Sequence, residues 1–514
     1  MTIKRLILIL LTILAIAKIT LSLISSWGEP QIQSRLELYQ TNLLLHATEW
    51  KGDKAGGSNF TTARDTFLGV EPVKTAQNQY EEVLKTDRNT LEQIAAKVLI
   101  PPAVAADSPR QPEGRQELQK SLYQLEGLIE ELNLRLGILQ IHQGQTETAI
   151  KTWTELINGS NNNPQHKAIT ETADVLIRLW QNPPVLVMNA QEQIENNLDG
   201  WFRYVSLSKL YEVQEKPEAL ANIQVAEQEI AEQALIKLAI VAGIPGFGFF
   251  MGVLLLIVLL GQLLIQRKDA LLAQNAQLPW TTPWDAETTW QVLIVGFFFV
   301  GQFVLPLVFS LLPLNPAGFD VREKAYYVLA SYMLMAFGSL LVLYLSIKSF
   351  LPLPEGWFQF KWKPTWIFWG VGGYFVALPL VIVVSLINQK LWQGQGGSNP
   401  ILPIVLEGKD GVALGIFFFT ASIAAPLFEE IIFRGFLLPS LTRYFPVWGA
   451  IAASSLLFAI AHLSLSEVLP LATLGAVLGI VYTRSRNLLA PMLLHSLWNS
   501  GTLLSLFILG SGSK

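Results

Sequence analysis

Polar and ionisable side chains interrupt three apolar runs near the C-terminus: Glu429, Glu430 and Arg434 in the first run, His462 in the second, and His495 with Asn499 in the third. A charged group at the centre of a bilayer costs roughly 3 kcal/mol or more, so such residues usually mark a functional site. The chain has only five histidines, and two of them lie here. This set predicts a buried centre for acid–base chemistry.

The spacing of these residues separates them by role. Glu430 and Arg434 are four positions apart, so on a helix they share a face and can form an ion pair. Glu429 is rotated by about 100° from Glu430, which makes it the freer carboxylate. His495 and Asn499 are also four positions apart and should project together. Three separate apolar segments are therefore predicted to send polar groups to one site.

Hydrolysis by an activated water is the chemistry that this set suits. A carboxylate and a histidine can hold one water between them, with Glu429 as the general base. His495 and Asn499 carry N–H donors that can stabilise the oxyanion formed when water attacks a carbonyl. Phe458 lies one turn before His462 and is expected to pack beside the site. These are the parts that amide hydrolysis without a covalent intermediate requires.

A zinc site is the alternative that the same residues leave open. Glu429, His462 and His495 would supply three ligands and keep a fourth position free. No H-E-x-x-H motif is present, and neither membrane histidine is followed by Glu. No Gly-x-Ser-x-Gly elbow frames a serine nucleophile. We therefore expect no cofactor, with zinc as the other possibility.

The composition indicates that membrane-embedded segments position these residues. Hydrophobic residues make up 51% of the 514, and charged residues only 15%, against about 25% in soluble domains. Much of the chain must therefore lie in a lipid bilayer. The net charge of −4 and the absence of a basic stripe exclude a nucleic-acid partner. The chain contains no cysteine, so disulfides and thiolate metal sites are also excluded.

The hydrophobic runs predict an all-α, polytopic membrane helix bundle. Residues 1–27 form a transmembrane anchor or a signal peptide, residues 237–399 form transmembrane helices, and residues 400–510 form the core that carries the site. Together with the N-terminal segment there are about nine predicted spans. The others are residues 239–265, 290–312, 325–347, 366–387, 412–438, 447–462, 468–482 and 488–509.

Residues 28–236 are rich in Gln, Glu, Asn and Lys and form a separate helical domain. Its segment with Gly137, Gly144, Ala149 and Trp153 has the offsets of a tetratricopeptide (TPR) repeat, in which small residues let two helices touch and an aromatic fills the gap. A plain helical hairpin is the alternative. Such a TPR-like domain would bind a protein partner.

Basic residues fall on alternate connections, which predicts the orientation of the chain by the positive-inside rule. The connections predicted to be cytoplasmic contain Lys4, Arg5, Arg267, Lys268, Lys361, Lys363, Arg443, Arg484 and Arg486. Residues 28–236 are therefore expected to be extracytoplasmic. To bring Glu429 to the depth of His462, the helix around Glu429 should extend to about Leu441 with a kink near Pro426.

The three polar segments resemble the motifs EExxxR, FxxxH and HxxxN of the CPBP family, the CAAX proteases and bacteriocin-processing (Abi) proteins, here as residues 429–434, 458–462 and 495–499. These proteins are intramembrane endopeptidases. The resemblance covers about residues 400–509.

The resemblance implies a role for each site residue. Glu429 and His462 would activate the water, and His495 and Asn499 would form the oxyanion hole. Glu430 and Arg434 would support them. A glutamate protease is favoured over a metalloprotease.

An intramembrane endopeptidase is thus the predicted function, with a membrane-associated protein or peptide as substrate and the outer domain recruiting it. The competing hypothesis is a non-catalytic membrane scaffold whose TPR-like domain binds proteins. A transporter with intramembrane carboxylates as proton carriers is a third, but the spans show no paired repeats.

Overall fold

The computed structural model describes residues 2–27, 31–52, 68–99, 111–159, 164–312, 314–392, 394–408 and 410–511. Within these ranges the regular structure is helical and contains no β-strand, which confirms the all-α prediction. The chain divides into two compact units. The membrane unit comprises Met1–Ile32 and Ala242–Gly510, and the polar unit comprises Gln33–Val241 and Ser511–Lys514.

The first helix, α1 (Ile3–Ser26), belongs to the membrane unit. The polar unit is built from successive helices: α2 (Ile32–Thr48), α3 (Pro72–Leu99), α4 (Gln111–His142), α5 (Thr146–Gly159), α6 (Pro164–Trp180), α7 (Ala190–Asn197) and α8 (Gly200–Val213). The long helix α9 (Pro217–Gln266) begins in this unit.

Helices α4 and α5 form a hairpin around a glycine and a tryptophan. The turn between them contains Gly144 at φ +75°, a conformation that favours glycine. Trp153 is fully buried and its indole N–H donates to the carbonyl of Leu134 at 3.0 Å. A Cβ on Gly137 would lie 2.2 Å from the indole nitrogen, so only glycine fits there. The expected small-residue and aromatic contact is present, whereas the assignment to TPR repeats stays a prediction.

The membrane unit continues with α10 (Ala286–Ser310), α11 (Val321–Ile347), α12 (Thr365–Trp392), α13 (Ile401–Glu407), α14 (Gly411–Leu441), α15 (Val447–Ile460), α16 (Val468–Ser485) and α17 (Leu489–Gly510). In the described residues, eight helices are long and apolar enough to cross a membrane, and α15 is a shorter apolar helix. The chain is an integral, multi-pass membrane protein, as the prediction of about nine spans required.

Helix α15 is too short to cross a bilayer. Its 14 residues span about 21 Å at 1.5 Å per residue, against a hydrocarbon core of about 30 Å. The chain then turns back directly after His462, with Leu463 at φ +58°. The backbone of this turn is satisfied by a neighbouring loop, because the Ser466 N–H and the Ser464 hydroxyl both donate to the carbonyl of Gly396. Such pairing is what non-helical backbone inside a membrane protein requires.

Basic residues from several connections meet at one end of the membrane unit. Lys4 pairs with Glu287 at the start of α10, at 3.1 Å. The loop before α10 also receives hydrogen bonds from Arg443, Arg484 and Arg486, and Asn487 bonds to the carbonyl of Lys361. The connections predicted to share a side therefore do so. The compartment that this end faces stays a prediction.

Candidate active site

Helix α14 carries the first polar motif and is not a regular α-helix. As expected, it extends to Leu441. Two π-helical segments, Thr420–Ala424 and Ile431–Leu437, flank the turn that contains Glu429 and Glu430. Short π-helical segments are frequent at functional sites because the local widening changes the direction of the side chains that follow.

Pro426 explains where Asn499 binds. At the first π-helical segment the Ala425 N–H bonds to the carbonyl of Thr420, five residues earlier. In that register the carbonyl of Ala421 would pair with residue 426, but proline has no N–H. The side-chain N–H of Asn499 donates to this carbonyl instead, at 2.7 Å. This bond links α17 to α14.

Glu430, Arg434 and His495 form one buried cluster. Oε1 of Glu430 accepts from Nη1 of Arg434 at 2.8 Å, which confirms the predicted ion pair. The same oxygen binds Nδ1 of His495 at 2.9 Å. Arg434 also donates to the carbonyl of Gly475 on α16 at 3.2 Å. Both charged side chains are almost completely buried, and mutual neutralisation makes that burial tolerable.

Phe458 lies at the centre of the polar residues, as predicted. The guanidinium carbon of Arg434 is 4.5 Å from the centre of its ring, a cation–π arrangement. The rings of His462 and His495 pack edge-on against Phe458, with centroids at 4.9 and 5.7 Å. The residue therefore brings the second and third motifs into contact with the first.

The hydrogen bonds define which nitrogen of each histidine remains for chemistry. Nδ1 of His462 lies 2.9 Å from the carbonyl of Phe458, so Nδ1 must carry the hydrogen. In neutral His462, Nε2 is then an acceptor. Nδ1 of His495 must likewise donate to Glu430, because a carboxylate only accepts. Its Nε2 becomes a donor only in the doubly protonated imidazolium.

Glu429 faces a different neighbour from Glu430. Its Oε1 accepts a hydrogen bond from the hydroxyl of Tyr332 on α11, at 2.9 Å. Its Oε2 is buried and has no hydrogen-bond partner among the described residues. Arg434 is near enough to interact with its charge. One oxygen of Glu429 is thus fixed by the protein, and the other is left for a further group.

The structure joins some of the predicted site residues and not others. Glu430, Arg434 and His495 are hydrogen-bonded to one another, and Phe458 connects them to His462. Neither Glu429 nor Asn499 is hydrogen-bonded to another residue of the predicted set: their partners are Tyr332 and the Ala421 backbone.

The alternative zinc site is not assembled. In the described part of the chain, no group of three or more His, Asp or Glu side chains is arranged to hold a metal ion. Glu429, His462 and His495 therefore do not form the ligand set that zinc would require. Nδ1 of His495 is bonded to Glu430, so only Nε2 of that ring remains as a possible metal ligand.

Tyr332 is the residue that sequence reasoning missed. It lies in the predicted span 325–347, among other aromatic and apolar residues. A tyrosine in a membrane helix carries no charge that would single it out, and its partner is 97 positions away. No local spacing connects the two.

Comparison with known proteins gives three findings. A family model described as type II CAAX prenyl endopeptidase Rce1-like matches residues 411–501. The membrane-embedded CAAX protease MroQ of Staphylococcus aureus (strain USA300) is 24% identical over 216 residues, 40% of this chain and 85% of that protein. The putative membrane peptidase YdiL of Bacillus subtilis (strain 168) is 28% identical over 134 residues, 26% of this chain and 54% of that protein.

No solved structure matches this chain. The segment matched by the family model contains every polar residue predicted for the site, from Glu429 to Asn499, and it excludes Tyr332.

Proposed function

We propose that this chain, whose residues 411–501 belong to the CPBP family of membrane proteases, hydrolyses peptide bonds of membrane-associated proteins or peptides. The predicted resemblance to that family is confirmed, and with it the broad class of activity, a protease of the membrane. The roles of individual residues and the mechanism are our proposal.

Glu429 is the general base in this mechanism. Its Oε2 is buried and has no partner among the described residues, so a water can donate to it. His462 presents an acceptor nitrogen, Nε2, because its Nδ1 is bonded to the carbonyl of Phe458. A water between these two acceptors directs one hydrogen to each and its lone pair toward a substrate carbonyl. The buried, unpartnered Oε2 of Glu429 is the observation that carries the proposal.

The attack forms a C–O bond, and the proton of the water passes to Oε2 of Glu429. The carbonyl oxygen becomes an oxyanion, which the amide of Asn499 and Nε2 of His495 would stabilise. Asn499 has a second amide hydrogen besides the one bonded to Ala421. Collapse of the intermediate breaks the C–N bond, and Glu429 returns the proton to the leaving amine.

Glu430 supports this chemistry through its contact with His495, and Arg434 through its contact with Glu430. Glu430 accepts a hydrogen bond from Nδ1 of His495 and so orients the imidazole whose Nε2 would face the oxyanion. Arg434 in turn pairs with Glu430 at 2.8 Å and holds it in place. No zinc step is needed, which favours a glutamate protease.

The polar unit is proposed to lie outside the cytoplasm and to recruit the substrate. Its helical hairpins resemble the packing of protein-binding repeats, as at Gly137 and Trp153. Substrates would then be membrane proteins or peptides with a segment on that side of the bilayer.

The test is cleavage by purified, full-length protein in lipid vesicles, with a library of lipid-anchored fluorogenic peptides as the probe. Glu429→Gln and His462→Ala should each lower the rate at least about a hundredfold, the usual contribution of acid–base catalysis. Glu287→Gln and His142→Ala change the same residue types away from the site and should be neutral. Activity retained in both site variants would refute the proposal and favour the non-catalytic scaffold.

A further inference from the structure

Tyr332 is bonded to the proposed general base from a helix outside the family match. It lies on α11, and its hydroxyl donates to Oε1 of Glu429 at 2.9 Å. The acceptor oxygen is the one that does not take up the water proton in the proposed mechanism. The membrane helices that precede residue 411 therefore contact the site directly.

Aromatic packing fixes the orientation of the Tyr332 ring. It meets Phe428, the residue before Glu429, edge to face at 6.0 Å between centroids and 84° between planes. Phe428 also stacks with Phe297 of α10 at 6.2 Å. The phenol is thus held between helices, and its hydroxyl does not need an ordering step to meet the carboxylate.

Close packing of α10 and α11 fixes the height and rotation of the helix that bears Tyr332. Ser339 donates to the carbonyl of Gly296 at 2.6 Å. A Cβ on Gly338 would lie 3.0 Å from Val300, so the two backbones approach at this point as small residues permit in membrane helices. Tyr332 lies two turns before Ser339 on the same helix.

We propose that Tyr332 is a positioning residue for Glu429. By occupying Oε1 it fixes the rotation of the carboxylate and leaves Oε2 as the oxygen that receives the proton. This inference rests on the proposed role of Glu429 as general base. It adds a helix of the N-terminal half of the membrane unit to the active site.

The test is Tyr332→Phe, which removes one oxygen atom and keeps the ring. With the vesicle-reconstituted protein and the fastest peptide of the fluorogenic library, kcat should fall about tenfold to a hundredfold, the worth of one hydrogen bond to a charged group. KM and the thermal midpoint should remain unchanged, because the hydroxyl contacts the base and not the substrate. Tyr326→Phe, an exposed tyrosine on the same helix, is the matched control.

The outcomes separate this inference from the proposed function. If kcat of Tyr332→Phe stays within twofold of the parent while Glu429→Gln is inactive, the positioning role is wrong and the protease proposal stands. A lower thermal midpoint accompanying the loss of activity also overturns it, since the hydroxyl is then structural. If Glu429→Gln is active, the proposed function itself fails.

Discussion

The buried cluster around Glu430 offers a test of the structure that does not depend on a substrate. Glu430→Gln keeps the shape of the side chain but removes the charge that faces Arg434 at 2.8 Å. The guanidinium then stays in a site where its side chain is 1% exposed. The amide oxygen of glutamine can still accept hydrogen bonds from Arg434 and His495, but it cannot compensate the positive charge.

The expected loss is large because the remaining charge is buried. Breaking a buried ion pair by removing one partner typically costs about 3–5 kcal/mol. Stacking of Arg434 on Phe458 is present in the parent as well as in the variant, so it does not change this cost. A double variant, Glu430→Met with Arg434→Met, removes both charges and should recover part of the stability. It leaves His495 without its acceptor, at a cost of about 1–3 kcal/mol.

Thermal unfolding of the full-length protein in detergent, followed by tryptophan fluorescence, measures this effect. The order of midpoints should be parent, then the double variant, then Glu430→Gln. Glu287→Gln breaks an ion pair with Arg5 at the end of the unit and is the control, with an unchanged midpoint expected. A single variant as stable as the parent, or a double variant no better than the single one, would refute the account of the cluster.

Three further predictions concern other sites. Gly137→Ala places a methyl group against the buried indole of Trp153 and should destabilise the protein by about 1–3 kcal/mol. Gly127→Ala on the same helix places its methyl group in open space and is the control. Equal unfolding curves for the two variants would contradict the packing. Burial raises the pKa of Asp87 from 3.8 to about 6, so the unfolded chain loses this proton at a lower pH than the folded protein does, and the stability falls between about pH 4 and 6. Asp87→Asn should therefore stabilise the protein by roughly 3 kcal/mol at pH 7 and by little at pH 4. Thermal melts measure this difference, and a gain that does not depend on pH would contradict the prediction. Asn499→Ala should lower kcat about a hundredfold in the peptide assay, whereas Thr502→Ala should not, and an unaffected rate would exclude the oxyanion role.

Spacing along the sequence was sufficient to predict which site residues share a face of one helix. The pairing of Glu430 with Arg434 follows from their separation of four residues, and the same spacing set His495 and Asn499 on one face of α17, where both bond to α14. The apolar runs likewise predicted the helices, because a segment in lipid must satisfy its own backbone.

Contacts between distant helices were not predictable in this way. The bond from Tyr332 to Glu429 joins residues 97 positions apart, and no periodicity relates them. The predicted span 447–462 also extends two residues beyond α15, because residues 461–462 form the turn that follows the helix. Hydropathy records which residues prefer lipid and carries no information on where a helix ends within it.

The contact between the Ala421 carbonyl, which Pro426 leaves without a backbone donor, and the amide of Asn499 restricts which residues can occupy positions 426 and 499. Because the amide occupies the carbonyl that the proline leaves without an N–H, the two positions should covary among relatives with the same helix distortion. A chain that loses the proline regains a backbone donor there, and its asparagine becomes free to change rotamer. The orientation of the amide that we propose as an oxyanion donor is thus set by a proline on another helix.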